Sequence, residues 1–182
     1  MTEPRTPSNA GGAGASSPPS ARPPVDLVYA DADLRRIFRE VRTVAMVGAS
    51  PSWVRPSHFV LKYLQAKGYR VIPVNPAVAG KEIRGERVYA SLGEVPDRVD
   101  LVDIFRNSEA AGPITDEAIV KGAKVVWMQL TVRNDAAAER ARAAGLTVVM
   151  DRCLKIEYGR LFGELGWAGV NTGVISARRS RR

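Results

Sequence analysis

The sequence of 182 residues contains one cysteine and one histidine, and these scarcities exclude several kinds of protein. Cys153 has no partner within the chain, so a framework of intrachain disulfides is excluded and a cytoplasmic location is expected. His58 and Cys153 are too few for a zinc site built from histidine and cysteine ligands, so we expect no metal. With a single histidine we also find no Ser-His-Asp or Cys-His-Asp arrangement, which favours a protein without catalysis of its own.

Long apolar runs are absent as well. No run approaches the roughly 18 residues of a membrane-spanning helix, and no N-terminal apolar segment has the pattern of a signal peptide. We therefore expect no membrane partner. The apolar fraction of 45% is nevertheless enough for a buried core, and the length suits one domain with tails.

The net charge of +8 is concentrated outside the central part of the chain. Four of these charges come from arginines within residues 178–182, and residues 1–24 add one more, which leaves +3 for the remainder. A mildly basic domain suits an anionic small molecule as its partner. The arginine tail is interpreted as solvated, and nucleic acid is not favoured as a partner.

Composition divides the chain into three segments. Residues 1–24 are rich in Pro, Gly, Ala and Ser, lack hydrophobic periodicity and are predicted to be a disordered leader. Residues 25–165 are predicted to form the folded domain. Residues 166–182 are a C-terminal extension that ends in the basic tail. This extension could pack on the domain or on a second copy, so a homo-oligomer is left open.

The central segment shows helical and strand patterns in alternation. Predicted helices, the first capped by Asp31 and the fourth by Asn134, lie at 34–41, 57–67, 113–121, 134–145 and from 154 onward. Predicted strands lie at 43–47, 70–74, 99–105, 124–130 and 146–150, with a possible edge strand at 86–90. This order predicts an α/β fold, a Rossmann-like doubly wound parallel sheet in a single domain. Such sheets bind ligands at the carboxyl ends of their strands.

The run Val44–Pro51 is an apolar strand that ends in a Gly-Ala-Ser-Pro loop, and the second predicted helix follows. This layout is typical of the phosphate-binding loop of nucleotide-binding domains. A dinucleotide fingerprint needs three glycines, whereas only Gly48 is present. Arg55 precedes the helix, where it could hold a phosphate. A tight turn at Gly48 and a surface role for Arg55 are the alternatives.

The end of the second strand argues against ordinary NAD binding. NAD-binding domains usually place an acidic residue there, and this chain has Asn75-Pro76 instead. Asn75 could contact a base or sugar, or simply build an Asn-Pro turn. Lys81 and Arg84 follow at a distance suited to a second phosphate, which is the feature that separates NADP and coenzyme A from NAD.

Six segments, in order along the chain, resemble the stand-alone coenzyme A-binding domain proteins. These proteins are similar to the N-terminal domain of the succinyl-CoA synthetase α subunit. The matching segments are Val-Gly-Ala-Ser-Pro at 47–51, Arg-Pro-Ser at 55–57, Gly-Tyr-Arg-Val-Ile-Pro-Val-Asn-Pro at 68–76, Val-Asp-Leu-Val-Asp-Ile-Phe-Arg at 99–106, Val-Val-Trp-Met-Gln at 125–129 and Val-Val-Met-Asp-Arg-Cys at 148–153. No single segment is specific, but the ordered set identifies the family.

The resemblance implies a Rossmann-like domain that binds coenzyme A or an acyl-CoA at the carboxyl ends of the strands. The implied cofactor-binding residues are Gly48, Ala49, Ser50 and Pro51 along the phosphates, with Arg55 and Ser57 beside them, Asn75 and Pro76 at the nucleotide, Lys81 at the ribose 3′-phosphate, Phe105 and Arg106 on the adenine side, and Met128, Gln129 and Leu130 after the fourth strand. One alternative is a component of a CoA ligase or transferase that acts with a partner subunit. Another is an NADP-binding regulator.

Three further side chains could carry chemistry. Asp100 and Asp103 are interpreted as lying on one face of the third strand, as caps or as partners of Arg98 and Arg152, with an acid–base pair as the alternative. Cys153 follows the fifth strand on the ligand side. It is interpreted as an inert residue, with a mixed disulfide to coenzyme A as the alternative hypothesis.

Overall fold

The computed structural model describes residues 27–163. The predicted leader 1–24 and extension 166–182 lie outside these residues. Five α-helices are present in the described part: α1 Asp31–Glu40, α2 Pro56–Ala66, α3 Ala111–Lys121, α4 Asp135–Ala143 and α5 Leu154–Leu161. The strands are β1 Thr43–Val47, β2 Arg70–Val74, β3 Glu82–Ile83, β4 Glu86–Arg87, β5 Leu101–Ile104, β6 Val125–Met128 and β7 Thr147–Val149.

Five strands form one parallel sheet in the order β2-β1-β5-β6-β7, which is the predicted doubly wound arrangement. The chain leaves β1 towards β2 on one side and later returns to β5 on the other. The strand order therefore reverses between β1 and β5. Ligand crevices of such sheets lie at this point, outside the carboxyl ends of the two strands.

Side chains alternate along each strand, so the two faces of the sheet have separate cores. One face packs against α3 and α4 and includes Ala45 and Ile104. The other packs against α1, α2 and α5 and includes Met46 and Trp127. All four side chains are fully buried. No helix in the described range is long and apolar enough to cross a membrane.

Two local predictions need correction. Asp31 is the first residue of α1 and Ala30 precedes it as the N-cap, without a side-chain cap. The possible edge strand at 86–90 does not join the main sheet along its length. Glu86–Arg87 pairs antiparallel with Glu82–Ile83 in a small hairpin, and only Tyr89 bridges to Val74 of β2. Asn134, by contrast, caps α4 as predicted, because its side chain accepts a hydrogen bond from the Ala137 N–H.

Candidate functional site

The loop after β1 begins at Gly48, which has a φ of +90°. A Cβ at this position would lie 2.5 Å from the carbonyl oxygen of Phe105, the residue that follows β5. It would also lie 3.1 Å from Cδ of Arg106. Glycine is therefore required because the loops after β1 and β5 meet here, at the reversal of strand order. This is a reason within the protein, independent of any phosphate.

Hydrogen bonds hold the rest of this loop in one shape. The Gly48 N–H donates to the Val74 carbonyl at 2.9 Å. The Asn75 amide donates to the Ala49 carbonyl at 2.8 Å, and its oxygen accepts from the Ala77 N–H. Ser50 donates its N–H to Ser57 Oγ at 3.1 Å. Asn75 and Ser57 thus fix the loop from β2 and α2, while the Gly48 and Ser50 amides are already used inside the protein.

The N-terminus of α2 offers fewer free amides than the sequence suggests. Pro56 is its first residue and has no N–H, and the His58 N–H donates to the Arg55 carbonyl. The His58 ring nitrogen Nδ1 lies 3.2 Å from the Ser50 carbonyl, so this side chain supports the loop. The positive end of the helix dipole remains. An anion here would depend on side-chain cations more than on backbone amides.

Arg55 and Arg106 are suitable cations. In the described part of the chain, neither guanidinium makes a hydrogen bond or an ion pair with another residue. Arg55 is the N-cap residue of α2 and is exposed. Arg106 is exposed, and its Cδ lies beside Gly48. Two unpartnered guanidinium groups near a helix N-terminus suit a phosphate-bearing ligand.

Two clefts open at this edge of the sheet, on opposite faces. Cleft 1 has a volume of about 710 Å³ and lies on the α2 and α5 side. It is lined by Pro56, Val60, Phe105, Arg106, Asn107, Ser108, Glu109, Gln129, Leu130, Thr131, Val132 and Cys153. Cleft 2 has a volume of about 270 Å³ and lies on the α3 side. It is lined by Val47, Gly48, Val74, Asn75, Pro76, Ala90, Ser91, Leu92, Arg106, Ala110, Pro113, Ile114 and Glu117.

Arg106 lines both clefts and Gly48 lies beside it, so the two clefts adjoin over the edge of the sheet. A long ligand could therefore lie across the edge, with one end on each face. The predicted residues that line a cleft are Gly48, Asn75, Pro76, Phe105, Arg106, Gln129 and Leu130. The predicted residues that line neither are Ala49, Ser50, Pro51, Arg55, Ser57, Lys81 and Met128.

Position in the fold explains why several of the predicted residues line neither cleft. Ala49 and Met128 are fully buried beneath the edge, and Lys81 is exposed in the loop before β3. The sequence reasoning missed the wall of cleft 2 that α3 provides, including Pro113 and Glu117. No pattern in the sequence marks that face of α3, because only the packing of the helix against the sheet places it there.

Asp100 and Asp103 do not share a face, and the prediction that they do is wrong because the residues are three apart. Asp100 lies just before β5, where its carboxylate accepts from the N–H groups of Arg42 and Thr43 and pairs with Lys124. It caps the start of the strands, as predicted. Asp103 lies within β5, fully buried, and its partner is Gln129 rather than an arginine. The two carboxyl groups therefore form no acid–base pair.

Cys153 lines cleft 1 and is half-buried. Burial is the main cause that raises the pKa of its thiol, and the nearby Asp103 raises it further. A raised pKa leaves less thiolate at neutral pH, which makes the sulfur a poorer nucleophile. This environment favours the inert interpretation, while the mixed disulfide remains an untested hypothesis.

The loop after β6 contains a strained residue. Thr131 has a φ of +68°, a left-handed conformation that β-branched residues rarely adopt. Its N–H donates to Asp151 Oδ1 at 2.7 Å, and its carbonyl accepts from Ser108 Oγ at 3.4 Å. These contacts hold Thr131 in the wall of cleft 1 at a cost in backbone energy.

Replacing Thr131 with glycine should therefore raise the free energy of unfolding by about 1 kcal/mol, because glycine adopts a positive φ without strain. Urea unfolding followed by circular dichroism measures the change. Lys62→Gly is the matched control, since Lys62 is exposed within α2. Glycine there should lower the free energy of unfolding by about 1 kcal/mol. A loss of stability in both variants would show that Thr131 carries no net strain.

The parallel sheet with helices on both faces and clefts at its carboxyl edge defines a single-domain Rossmann-like α/β protein. The family model described as "CoA binding domain" matches residues 42–159, which is more than half of the chain. The chain therefore belongs to the CoA-binding domain family, and the family predicted from the six segments is confirmed.

Three similar proteins illustrate the family. The uncharacterized protein YneT of Bacillus subtilis is 35% identical over 127 residues, which cover 70% of this chain and 93% of YneT. A solved structure of a hypothetical protein from Pyrococcus horikoshii is 38% identical with a TM-score of 0.73, and the match covers 79% of this chain and 99% of that chain.

The third is the α subunit of the ADP-forming acetate–CoA ligase I of Pyrococcus furiosus, which is 34% identical over 89 residues. The match covers 47% of this chain but only 19% of that subunit. The chain is therefore related to CoA-ligase α subunits through one part of their length.

Proposed function

We propose that the chain binds coenzyme A or an acyl-CoA across the carboxyl edge of its sheet, in the cytoplasm and without catalysis of its own. The observation that carries this proposal is the pair of clefts on opposite faces of the sheet, which share Arg106 beside Gly48. Coenzyme A has a matching division, because a nucleotide and a pantetheine arm extend from one pyrophosphate. Membership of the CoA-binding domain family supports the same ligand.

The chemistry of the two clefts suggests which end lies in which. We assign the nucleotide to cleft 2, where Asn75 and Pro76 form the wall next to β2. We assign the arm, with any acyl group, to the larger cleft 1, whose apolar wall includes Val60, Leu130 and Val132. Arg106 and Arg55 would neutralise the pyrophosphate, assisted by the α2 dipole. Lys81 stays the candidate for the 3′-phosphate.

Calorimetric titration with coenzyme A tests the proposal, and Arg106→Ala is the informative variant. Removing this guanidinium should weaken coenzyme A binding about tenfold or more, because hydrogen bonds to a charged group contribute about 1.5–3 kcal/mol. Arg140→Ala is the control. Arg140 is an exposed arginine on α4 that pairs with Asp116, away from both clefts, so its loss should leave the affinity within about twofold.

Two results would contradict this function. The first is the absence of heat with coenzyme A and acetyl-CoA up to millimolar ligand. The second is binding of NADPH that coenzyme A does not displace, which would favour the NADP alternative. Equal losses in Arg106→Ala and Arg140→Ala would instead place the ligand away from the joined clefts.

A second candidate is a CoA-ligase-like or transferase component that acts with a partner subunit. The relationship to the Pyrococcus furiosus ligase α subunit favours it. Exposed apolar side chains near the edge, namely Trp53, Val54, Phe59 and Leu130, offer a surface for such a partner. Copurification of an ATP-binding subunit, with CoA-dependent ligase activity of the reconstituted pair, would support this candidate. A chain that purifies alone and binds coenzyme A would support the first.

A further inference from the structure

Asp103 is a carboxyl group inside the apolar core beneath cleft 1. It lies in the middle of the sheet, paired in register with Met46 on one side and Trp127 on the other, and is fully buried. Its Oδ1 accepts a hydrogen bond from Gln129 Nε2 at 2.8 Å, and its Oδ2 has no partner among the described residues. A buried carboxyl with one unsatisfied oxygen is costly to stability, so its presence calls for a role.

Gln129 connects this carboxyl to the cleft. It follows β6 directly and lines cleft 1, while its Nε2 points down to Asp103. In the part of the chain that the structure describes, Gln129 Oε1 accepts no hydrogen bond, and it is not among the fully buried polar atoms without a partner. The amide oxygen is therefore the atom that remains for a ligand in the cleft.

We propose that Asp103 orients Gln129 so that Oε1 accepts a hydrogen bond from a donor on the pantetheine arm, an amide N–H or the thiol. A carboxylate only accepts hydrogen bonds, so it can pair with the Nε2 side of the amide alone and turns Oε1 outward. Gln129 is then the residue that contacts the ligand, and Asp103 is a positioning residue. This inference rests on the proposed binding of coenzyme A and on the assignment of the arm to cleft 1.

The ionisation of Asp103 sets the conditions under which this orientation holds. Burial raises the pKa of Asp103 to about 7, against the opposing effect of the Gln129 hydrogen bond. A protonated Asp103 could donate to Oε1 and reverse the amide. Cys153 lies near enough for Asp103 to raise its pKa, and with a raised pKa the Cys153 thiol is uncharged at neutral pH. At pH 8 the carboxylate form of Asp103 prevails, and the binding experiment belongs at that pH.

The test is calorimetry at pH 8 with three ligands: coenzyme A, desulfo-coenzyme A and adenosine 3′,5′-bisphosphate, which lacks the arm. Gln129→Met keeps the side-chain volume but removes the acceptor. It should weaken the binding of coenzyme A about tenfold and leave the affinity for the bisphosphate unchanged. Asp103→Asn lets the amide take either orientation and should weaken coenzyme A about threefold. In a Gln129→Met background it should have no further effect.

The double variant separates positioning from structure. The proposal is overturned if Asp103→Asn weakens the binding of coenzyme A equally in wild type and in the Gln129→Met background. It is also overturned if Asp103→Asn weakens the binding of the bisphosphate as much as that of coenzyme A. Asp100→Asn makes the same substitution at the other end of β5 and should leave all three affinities unchanged. Wild-type chain that binds neither coenzyme A nor the bisphosphate would refute the proposed function itself.

Desulfo-coenzyme A identifies the donor. If Gln129→Met binds desulfo-coenzyme A more weakly than wild type does, the hydrogen bond comes from an amide of the arm. If the two proteins bind desulfo-coenzyme A equally well, the hydrogen bond comes from the thiol. Either result supports the proposal, whereas equal affinity of wild type and Gln129→Met for intact coenzyme A overturns it.

Discussion

Alanine at position 48 should lower the free energy of unfolding by about 3 kcal/mol or more. The φ of +90° already disfavours any residue with a Cβ, at a cost of about 1–3 kcal/mol. The new Cβ would also lie 2.5 Å from the Phe105 carbonyl oxygen, a backbone atom that cannot turn away as a side chain could. The loops after β1 and β5 would have to separate, which adds a cost of about 1–3 kcal/mol for overpacking. Chemical denaturation of Gly48→Ala measures the sum.

Gly68 supplies a matched control for this prediction. It follows the C-cap of α2 with a φ of +86°, nearly the same backbone conformation, and a Cβ there would meet nothing within 4 Å. Gly68→Ala should therefore show the conformational cost alone, about 1 kcal/mol. The difference between the variants measures how closely the two loops pack. If both variants lose the same free energy of unfolding, the loop at Phe105 can move away from position 48 without cost.

Much of the fold could be predicted from the sequence because its signals are local. The apolar strand Thr43–Val47 and the strand Arg70–Val74 have the predicted bounds, and Asn134 caps α4 as its position implies. The predicted strands at 99–105 and 124–130 are too long, since β5 and β6 each contain only four residues. At both strands, apolar residues continue beyond the last residue that pairs with a neighbouring strand. Hydrophobicity alone therefore does not show where the strand pairing ends.

The candidate site was less predictable because its contacts are long-range. The sequence pattern predicts that Gly48 lets a phosphate approach, and the structure adds a close neighbour that the pattern does not show, the Phe105 carbonyl. Asn75 is a predicted ligand contact, and its side-chain amide also donates a hydrogen bond to the Ala49 carbonyl. In both cases the residue type was informative, but the partner lies on another strand. Pairing between distant segments decides such contacts, and a single sequence does not show it.

Asp103 illustrates the same limit, since nothing in the run Val99–Arg106 distinguishes it from Asp100. Both acids lie between apolar residues. One caps the start of the strands with two backbone hydrogen bonds, and the other is enclosed between β1, β6 and the helices. Their surroundings shift their pKa values in opposite directions. Burial alone would raise the pKa of Asp100, but the N–H groups of Arg42 and Thr43 and the Lys124 ammonium lower it.

This contrast predicts how stability depends on pH. The pKa of Asp103 is raised by burial from 3.8 to about 7, so between these values the folded protein binds a proton that the unfolded chain has released. The stabilising contribution is complete below about pH 4, declines as pH rises and is lost above about pH 7. The free energy of unfolding of wild type minus that of Asp103→Asn should therefore fall by about 3–4 kcal/mol between pH 4 and pH 8.

Asp100→Asn provides the control with the opposite sign. Because the folded pKa of Asp100 is lowered, its stabilising contribution is present above its ordinary pKa and is lost as pH falls below it. The free energy of unfolding of wild type minus that of Asp100→Asn should therefore fall towards acid pH. The same difference for Asp103→Asn should rise towards acid pH. Urea unfolding of the three proteins from pH 3 to pH 8 gives both curves. A flat difference for Asp103→Asn would mean that the carboxyl stays ionised in the folded protein, with an anionic Oδ2 left in the core without a partner among the described residues.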